Sequence, residues 1–297
     1  MKLLITGASG FIGQHLTSRL QDEGHSVTAI VRPATDVSAL KQKNITVFEY
    51  AGSVTALTEF MAAEKFDGVF HLASLFLAQH KPEDIAGLVE SNVTFSTQVL
   101  EAAVTSKTPW FINTGTFWQH YQNATYSPIN LYAATKEAFI NIAQYYIETS
   151  SIHFTTLKLS DTFGPNDPRP KVMNLMAKIG ASKEHLDMSP GEQLIDISYI
   201  DNVIDAFVQL MTLVSTDTER KMSGHSYGVS SGHALSLKDL AKVFEQATGM
   251  TLDIGWGGRE YRPREVMIPW ETYELVPGWL PKVSLEEGIK KTFSKTD

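Results

Sequence analysis

The stretch Lys2-Leu-Leu-Ile-Thr6, followed at once by Gly7-Ala-Ser-Gly10-Phe-Ile-Gly13, constrains the fold more than any other part of the sequence. The apolar run predicts a short buried strand over Lys2–Thr6. The residues after the glycines predict a helix over Phe11–Glu23, with Phe11, Ile12, Leu16 and Leu20 apolar. Each glycine has its own use. Gly7 lets the chain turn sharply, Gly10 lets backbone approach a pyrophosphate, and Gly13 lets the helix pack closely on the sheet. The helix amino terminus adds free N–H groups and a partial positive charge. A strand, this turn and a helix together point to a dinucleotide site.

Strand-like and helix-like segments go on alternating. Val27–Val31, Val47–Tyr50, Gly68–Ala73, Trp110–Thr114 and Phe154–Leu159 read as strands. Thr55–Lys65, Asp84–Ser106 and Leu131–Thr149 read as helices between them. A parallel crossover needs a helix-length connection, so this order predicts an α/β protein with a doubly wound, Rossmann-type parallel sheet. The regularity stops at Gly164-Pro-Asn-Asp-Pro-Arg-Pro-Lys171, a proline-rich loop leaving the sheet. Beyond it the pattern is mixed: helices near 172–180, 201–213, 237–248 and 285–293, and strands near 194–198 and 226–229. The expected organisation is a dinucleotide-binding domain over 1–164 and a smaller mixed α/β substrate lobe over 165–297. Segments 154–159 and 227–229 are expected to return to the main sheet.

Composition narrows the function. The formal charge is −8, which disfavours a nucleic-acid or anionic-membrane surface. The chain has no cysteine, so disulfides, thiolate metal sites and Cys nucleophiles are excluded. Its nine histidines lack ligand spacing, and no metal site is expected. No apolar run is long enough to span a membrane, and the N-terminal apolar run is too short for a signal peptide, so a cytoplasmic location is expected.

Two further motifs carry chemistry. The second strand ends Ala29-Ile30-Val31-Arg32, which places Arg32 nineteen residues beyond Gly13, where an acidic residue would bind the ribose 2′-hydroxyl of NAD. A guanidinium there, with no carboxylate, favours the 2′-phosphate of NADP(H). Tyr132-Ala-Ala-Thr-Lys136 places a phenol and an ammonium on one helix face, and the cation is expected to lower the phenol's pKa for proton transfer. Thr114 and Thr116, at the carboxyl end of the fifth strand, are candidates to hydrogen-bond a substrate oxygen. Phe117, Trp118 and Tyr121 could stack on a sugar or base.

The ordered set TGxxGxxG, His71-Leu72-Ala73-Ser74, Asn92, Thr114 and Tyr132–Lys136 resembles the extended short-chain dehydrogenase/reductases, the epimerase/dehydratase family of sugar nucleotides. The resemblance continues through Leu157–Pro165, Gln193–Val203, Tyr261–Glu265 and Trp279–Ile289. It implies Tyr132 as acid/base, Lys136 as its partner and Thr114 in the usual Ser/Thr position. Cofactor contacts are implied for Gly7, Gly10, Phe11, Ile12, Gly13, Ser53, Val54, Leu72, Ala73, Ser74, Asn92 and Thr162. Sugar-nucleotide contacts are implied for Asp161, Asn174 and Arg262, with Thr116 and Phe117 beside them. Asp161 stands where the family usually has Asn, Ile195 where an Arg often precedes the Asp, and the loop between Thr114 and Tyr132 is short. A homodimer is implied through the helices 84–106 and 131–149.

The resemblance also separates reactions. Dehydratases of the family carry an Asp–Glu pair after the catalytic Thr, and Gly115 and Thr116 stand there instead. The stretches Asn113–His120 and Leu186–Gln193 are most similar to the 4-ketoreductases of deoxysugar nucleotides, such as CDP-abequose and CDP-paratose synthases. The resulting expectation is an NADPH-dependent reductase of an NDP-4-keto-6-deoxyhexose. An NAD-dependent 4-epimerase is the alternative, and a non-enzymatic NADP(H)-binding regulator a more distant one.

Overall fold

Leu3, Leu4 and Ile5 are all fully buried and point alternately to opposite faces, so the first strand needs a cover on both sides. The computed structural model, which describes residues 1–294, supplies both. In chain order the first half holds β1 (Lys2–Thr6), α1 (Phe11–Asp22), β2 (Ser26–Val31), α2 (Ser38–Gln42), β3 (Thr46–Glu49), α3 (Val54–Glu64) and β4 (Gly68–His71). It continues with α4 (Ile85–Val89), α5 (Phe95–Thr105), β5 (Trp110–Thr116), α6 (Leu131–Thr149) and β6 (His153–Leu159). The second half holds β7 (Asp161–Phe163), α7 (Val172–Ser182), β8 (Leu186–Met188), β9 (Leu194–Ile195), β10 (Ile197–Tyr199) and α8 (Ile200–Thr216). It ends with β11 (Ser226–Val229), β12 (Leu235–Ser236), α9 (Leu237–Thr248), β13 (Ile254–Trp256) and α10 (Leu285–Phe293).

Seven strands form one parallel sheet in the order β11-β6-β5-β4-β1-β2-β3. One face buries Leu3, Ile5, Ile112 and Leu157 against Leu16 of α1 and Phe207 of α8. The other buries Leu4, Val69, Phe111 and Phe154 against Met61 of α3, Leu100 of α5 and Phe139 of α6. The strand order reverses between β1 and β4, where a doubly wound sheet opens its ligand crevice. Among the described residues no helix is long and apolar enough to cross a membrane.

The structure corrects several expectations. The helix expected over Asp84–Ser106 is interrupted: a π turn at Glu90–Thr94 separates α4 from α5. That turn carries Asn92, which is buried and fully engaged, as described below. The strand expected at Leu194–Ser198 splits into β9 and β10 around Asp196, whose carboxylate turns inward to accept from Ser230 Oγ, Ser231 N and Ser231 Oγ. Asp161–Phe163 forms a strand that the pattern missed, parallel to β10. On the two helices through which a homodimer is implied, the apolar residues Leu88, Val99, Leu100 and Phe139 are fully buried inside the chain. The exposed apolar residues on these helices are instead Ile85, Val89 and Tyr145.

Candidate active site

The glycine turn is closed on its inner side and open on its outer side. Gly7 has φ of 73°, and a Cβ there would lie 2.7 Å from Ala73 N and 2.9 Å from the Leu72 carbonyl carbon. A Cβ on Gly13 would collide with Gly7 O, so any side chain would push α1 off the turn. Gly10 is exposed, and a Cβ there would meet only Gly7 O, at 3.2 Å, among the described residues. Phe11 is buried with the Arg169 guanidinium 4.5 Å over its ring, and Ile12 is half-buried. Across the sheet edge Arg32 is exposed just after β2. Ser53 Oγ caps α3 by accepting from Ala56 N–H at 3.2 Å, and Val54 opens that helix.

A buried hydrogen-bond chain fixes the floor between β1 and β4. Ser96 Oγ donates to Asn92 O at 2.9 Å, so it accepts from His71 Nε2–H at 2.8 Å. His71 Nδ1 then accepts from Thr6 Oγ1 at 2.9 Å, and that oxygen accepts from Ala73 N–H at 3.1 Å. This order requires the neutral imidazole. Burial, reinforced by the Lys136 ammonium, holds His71 well below its usual pKa. Asn92 completes the floor. Its Oδ1 accepts from Ser74 Oγ and Leu75 N–H, and its Nδ2 donates to Leu75 O and Thr135 Oγ1. Every polar atom of the Asn92 side chain thus braces the loop after β4 against α6.

The start of α6 sets the candidate pair Tyr132 and Lys136. Asn130 accepts from Ala133 N–H at 2.9 Å and donates to Leu77 O and Ala78 O, tying the helix to the same loop. Lys136 lies one turn after Tyr132. Its Nζ is buried without a hydrogen-bond partner among the described residues, and burial lowers its pKa to about 8. Thr114 Oγ1 is buried and unpartnered in the same way. Tyr132 keeps part of its surface exposed, yet the surrounding protein desolvates its hydroxyl and pushes its pKa up to about 12. This corrects the expectation of a phenol lowered by Lys136. The groups bearing on it are Ser74 and Arg169, which favour ionisation, and Asp161, which opposes it.

Above Tyr132 three segments meet. The Phe76 ring stands edge-on to Tyr132 at 5.0 Å and lies 5.3 Å from Trp118. Lys171 Nζ sits 5.0 Å over Phe76 and 5.9 Å over Trp118, and donates to Asp161 Oδ1 at 2.5 Å. Arg169 grips both oxygens of Asp167 at 2.7 Å and donates to Thr162 O and Oγ1, so Thr162 is spoken for. Asn174 donates to Asp167 O and Arg169 O, holding the proline-rich loop. Arg262 is exposed and sits 3.5 Å from Glu265, outside this cluster. Beneath Gly115, Lys158 Nζ donates to His120 Nε2 at 2.8 Å and lies 3.7 Å from Glu137, and Gln119 links Glu137 to Thr116 N–H. Phe117 packs on Trp270 and Tyr273 in the interior. Sequence reasoning missed Phe76, Arg169 and Lys171; two cations in a proline-rich loop were the available signal.

This arrangement resembles known proteins closely in plan. The profile of the NAD dependent epimerase/dehydratase family matches residues 3–223. The chain belongs to this family. A CDP-abequose synthase of Salmonella muenchen is 27% identical over 297 residues, covering 99% of this chain and 97% of that protein. A probable UDP-glucuronate 4-epimerase of Rhizobium meliloti is 25% identical, covering 98% and 95%. The fold is shared with the UDP-glucose 4-epimerase of Thermotoga maritima, solved with UDP-glucose, at a TM-score of 0.86 and 22% identity over 99% of this chain and 97% of that one.

Proposed function

We propose that the protein is an NADPH-dependent reductase of a CDP- or dTDP-linked 4-keto-6-deoxyhexose. One observation carries this reading: Tyr132 lies on α6 with Lys136 Nζ one turn away, and both Lys136 Nζ and Thr114 Oγ1, the latter on β5, are buried without a hydrogen-bond partner among the described residues. Orphaned polar atoms of this kind suit a ribose and a substrate oxygen. The cleared backbone at Gly7, Gly10 and Gly13 suits a pyrophosphate, so the residues fit a nicotinamide dinucleotide. Arg32 would pair with the 2′-phosphate. When bound, NADPH supplies the hydride.

The chain's own groups would do the rest. Tyr132 gives its phenolic proton to the developing alkoxide at C4, and a phenol kept protonated suits that role. Thr114 Oγ1 donates to the same oxygen, and Lys136 holds a ribose hydroxyl. Gly115 and Thr116 offer no carboxylate for dehydration. Similarity to CDP-abequose synthases from three sources, at 25–28% identity, supports the substrate class. A 4-epimerase is the second reading, favoured by the epimerases among the relatives and by epimerase structures solved with NAD.

Incubation with NADPH and either ketosugar nucleotide tests the proposal, with loss of reduced-nicotinamide absorbance and NMR of the product as readouts. Reduction at C4 is expected. Interconversion of UDP-sugar epimers without added reductant, and no NADPH consumption, would establish the epimerase instead.

A further inference from the structure

Four cationic side chains gather at the carboxyl end of the sheet, and three are either buried or held by other partners. Lys136 is buried beneath the crevice. Lys158 is buried between His120 and Glu137. Arg169 is locked on Asp167 and Thr162 and laid over Phe11. Lys171 differs. It holds one carboxylate oxygen, that of Asp161, and both partners of the pair are partly exposed. Its ammonium hovers over Phe76 and Trp118, and Phe76 touches the ring of Tyr132.

A nucleotide sugar that presents a ring carbonyl to Tyr132 carries its diphosphate roughly one sugar ring away. The Asp161 carboxylate lies near enough to Tyr132 to act on it, and would repel that diphosphate unless neutralised. Lys171 is the cation at hand. Resting on two aromatic rings, its ammonium is partly desolvated, which strengthens its attraction for an anion. We propose that Lys171 is the anion receptor of the substrate site, leaving Asp161 for the diphosphate of the incoming nucleotide sugar while Phe76 and Trp118 keep it over the mouth of the crevice. This rests on the nucleotide-sugar reading above. It assigns the recognition of the diphosphate to the loop 164–171, whereas Arg262 lies outside the cluster with Glu265.

Calorimetric titration tests it without NADPH or ketosugar. CDP, dTDP, UDP and GDP are titrated into the wild type, and the tightest is carried into Lys171→Met, Lys171→Arg and Asp161→Asn, with the matching nucleoside as control. Lys171→Met should weaken the diphosphate about tenfold or more. Lys171→Arg should retain most of the affinity, and Asp161→Asn should tighten it by freeing the ammonium from its competitor. The nucleoside should respond to none of them. Equal affinity in Lys171→Met and wild type overturns the inference, as does an equal loss for the nucleoside, which would mark a damaged pocket. A wild type that follows this pattern but reduces no ketosugar leaves Lys171 assigned and refutes the reductase. A wild type that reduces ketosugar while Lys171→Met binds unchanged refutes Lys171 alone. A wild type that binds no nucleoside diphosphate overturns both.

Discussion

The buried ammonium of Lys136 acts on the buried imidazole of His71 and adds to burial in keeping it uncharged. Burial also disfavours the charged form of Lys136 itself. The Thr6–His71–Ser96–Asn92 chain needs the neutral imidazole, while Lys136 Nζ has no hydrogen-bond partner among the described residues. The site therefore keeps a buried charge that the fold alone does not satisfy.

Replacing Lys136 by Met should separate stability from function. Burial takes this lysine from the ordinary value of 10.5 down to about 8, which corresponds to an unfavourable contribution of about 3 kcal/mol at neutral pH. Methionine fills the same space without charge, so the midpoint of urea unfolding should rise by about 1–3 kcal/mol equivalent. NADP(H) affinity and turnover should both fall. A Lys136→Met protein less stable than wild type would mean that the ammonium is satisfied after all.

The sheet and its crevice were legible because a parallel strand buried on both faces leaves a continuous apolar run, and Leu3–Ile5 is such a run. The helix over Leu131–Thr149 has the expected bounds, and in the structure Asn130 caps its start. What stayed hidden depends on contacts between distant segments. The π turn at Glu90–Thr94 exists to bring Asn92 to Leu75 and Thr135. Tyr132 is governed by burial first and then by Ser74, Arg169 and Asp161, which no spacing rule connects to it. The short strands β8 and β13 pair across more than sixty residues and carry too few side chains to show a period.

Tyr132→Phe removes one oxygen and keeps the ring against Phe76. Turnover should fall by about 10²–10⁴-fold, with dissociation constants little changed. With the phenol near 12 and the ammonium near 8, a loss of rate above pH 8 in the wild type reports Lys136, not Tyr132. That limb should be missing from the residual activity of Lys136→Met. Full turnover in Tyr132→Phe would move the proton source elsewhere, with Thr116 or a bound water first to examine.

Arg32 is exposed at the end of β2, so its substitution should leave the fold intact. Arg32→Ala should cost NADPH about ten- to hundredfold in affinity and leave NADH unaffected. Equal kinetics with NADH and NADPH in the wild type would refute the assignment.

Ile85 and Val89 on α4 and Tyr145 on α6 are large apolar groups left 45%, 41% and 64% exposed. If the helices pair about a two-fold axis in a homodimer, as the family resemblance implies, these residues should be covered by it. Light scattering at micromolar concentration should give twice the chain mass. Val89→Lys with Tyr145→Lys should return the monomer without loss of helix signal. A monomeric wild type would end the idea.

Stability should fall when the pH is lowered from 7.5 to 5.5, before ordinary carboxylates titrate. Burial lowers the pKa of His71 strongly and those of His120, His153 and His25 less so. In the unfolded chain each returns to about 6.5. Below that value the unfolded state binds more protons than the folded state, so stability is present above pH 6.5 and is lost progressively as pH falls toward the folded values. His185 works the other way, held up by Asp253 and Asp187, but it is fully exposed and weakly coupled to folding. Urea midpoints at pH 7.5, 6.5 and 5.5 should therefore drop, most steeply in the lower step. His153→Gln should flatten that step in part, because it leaves the Thr6–His71–Ser96 chain untouched. Midpoints that stay level across the window would show that these imidazoles take up protons in the folded protein, and would contradict the neutral His71 on which the crevice floor depends.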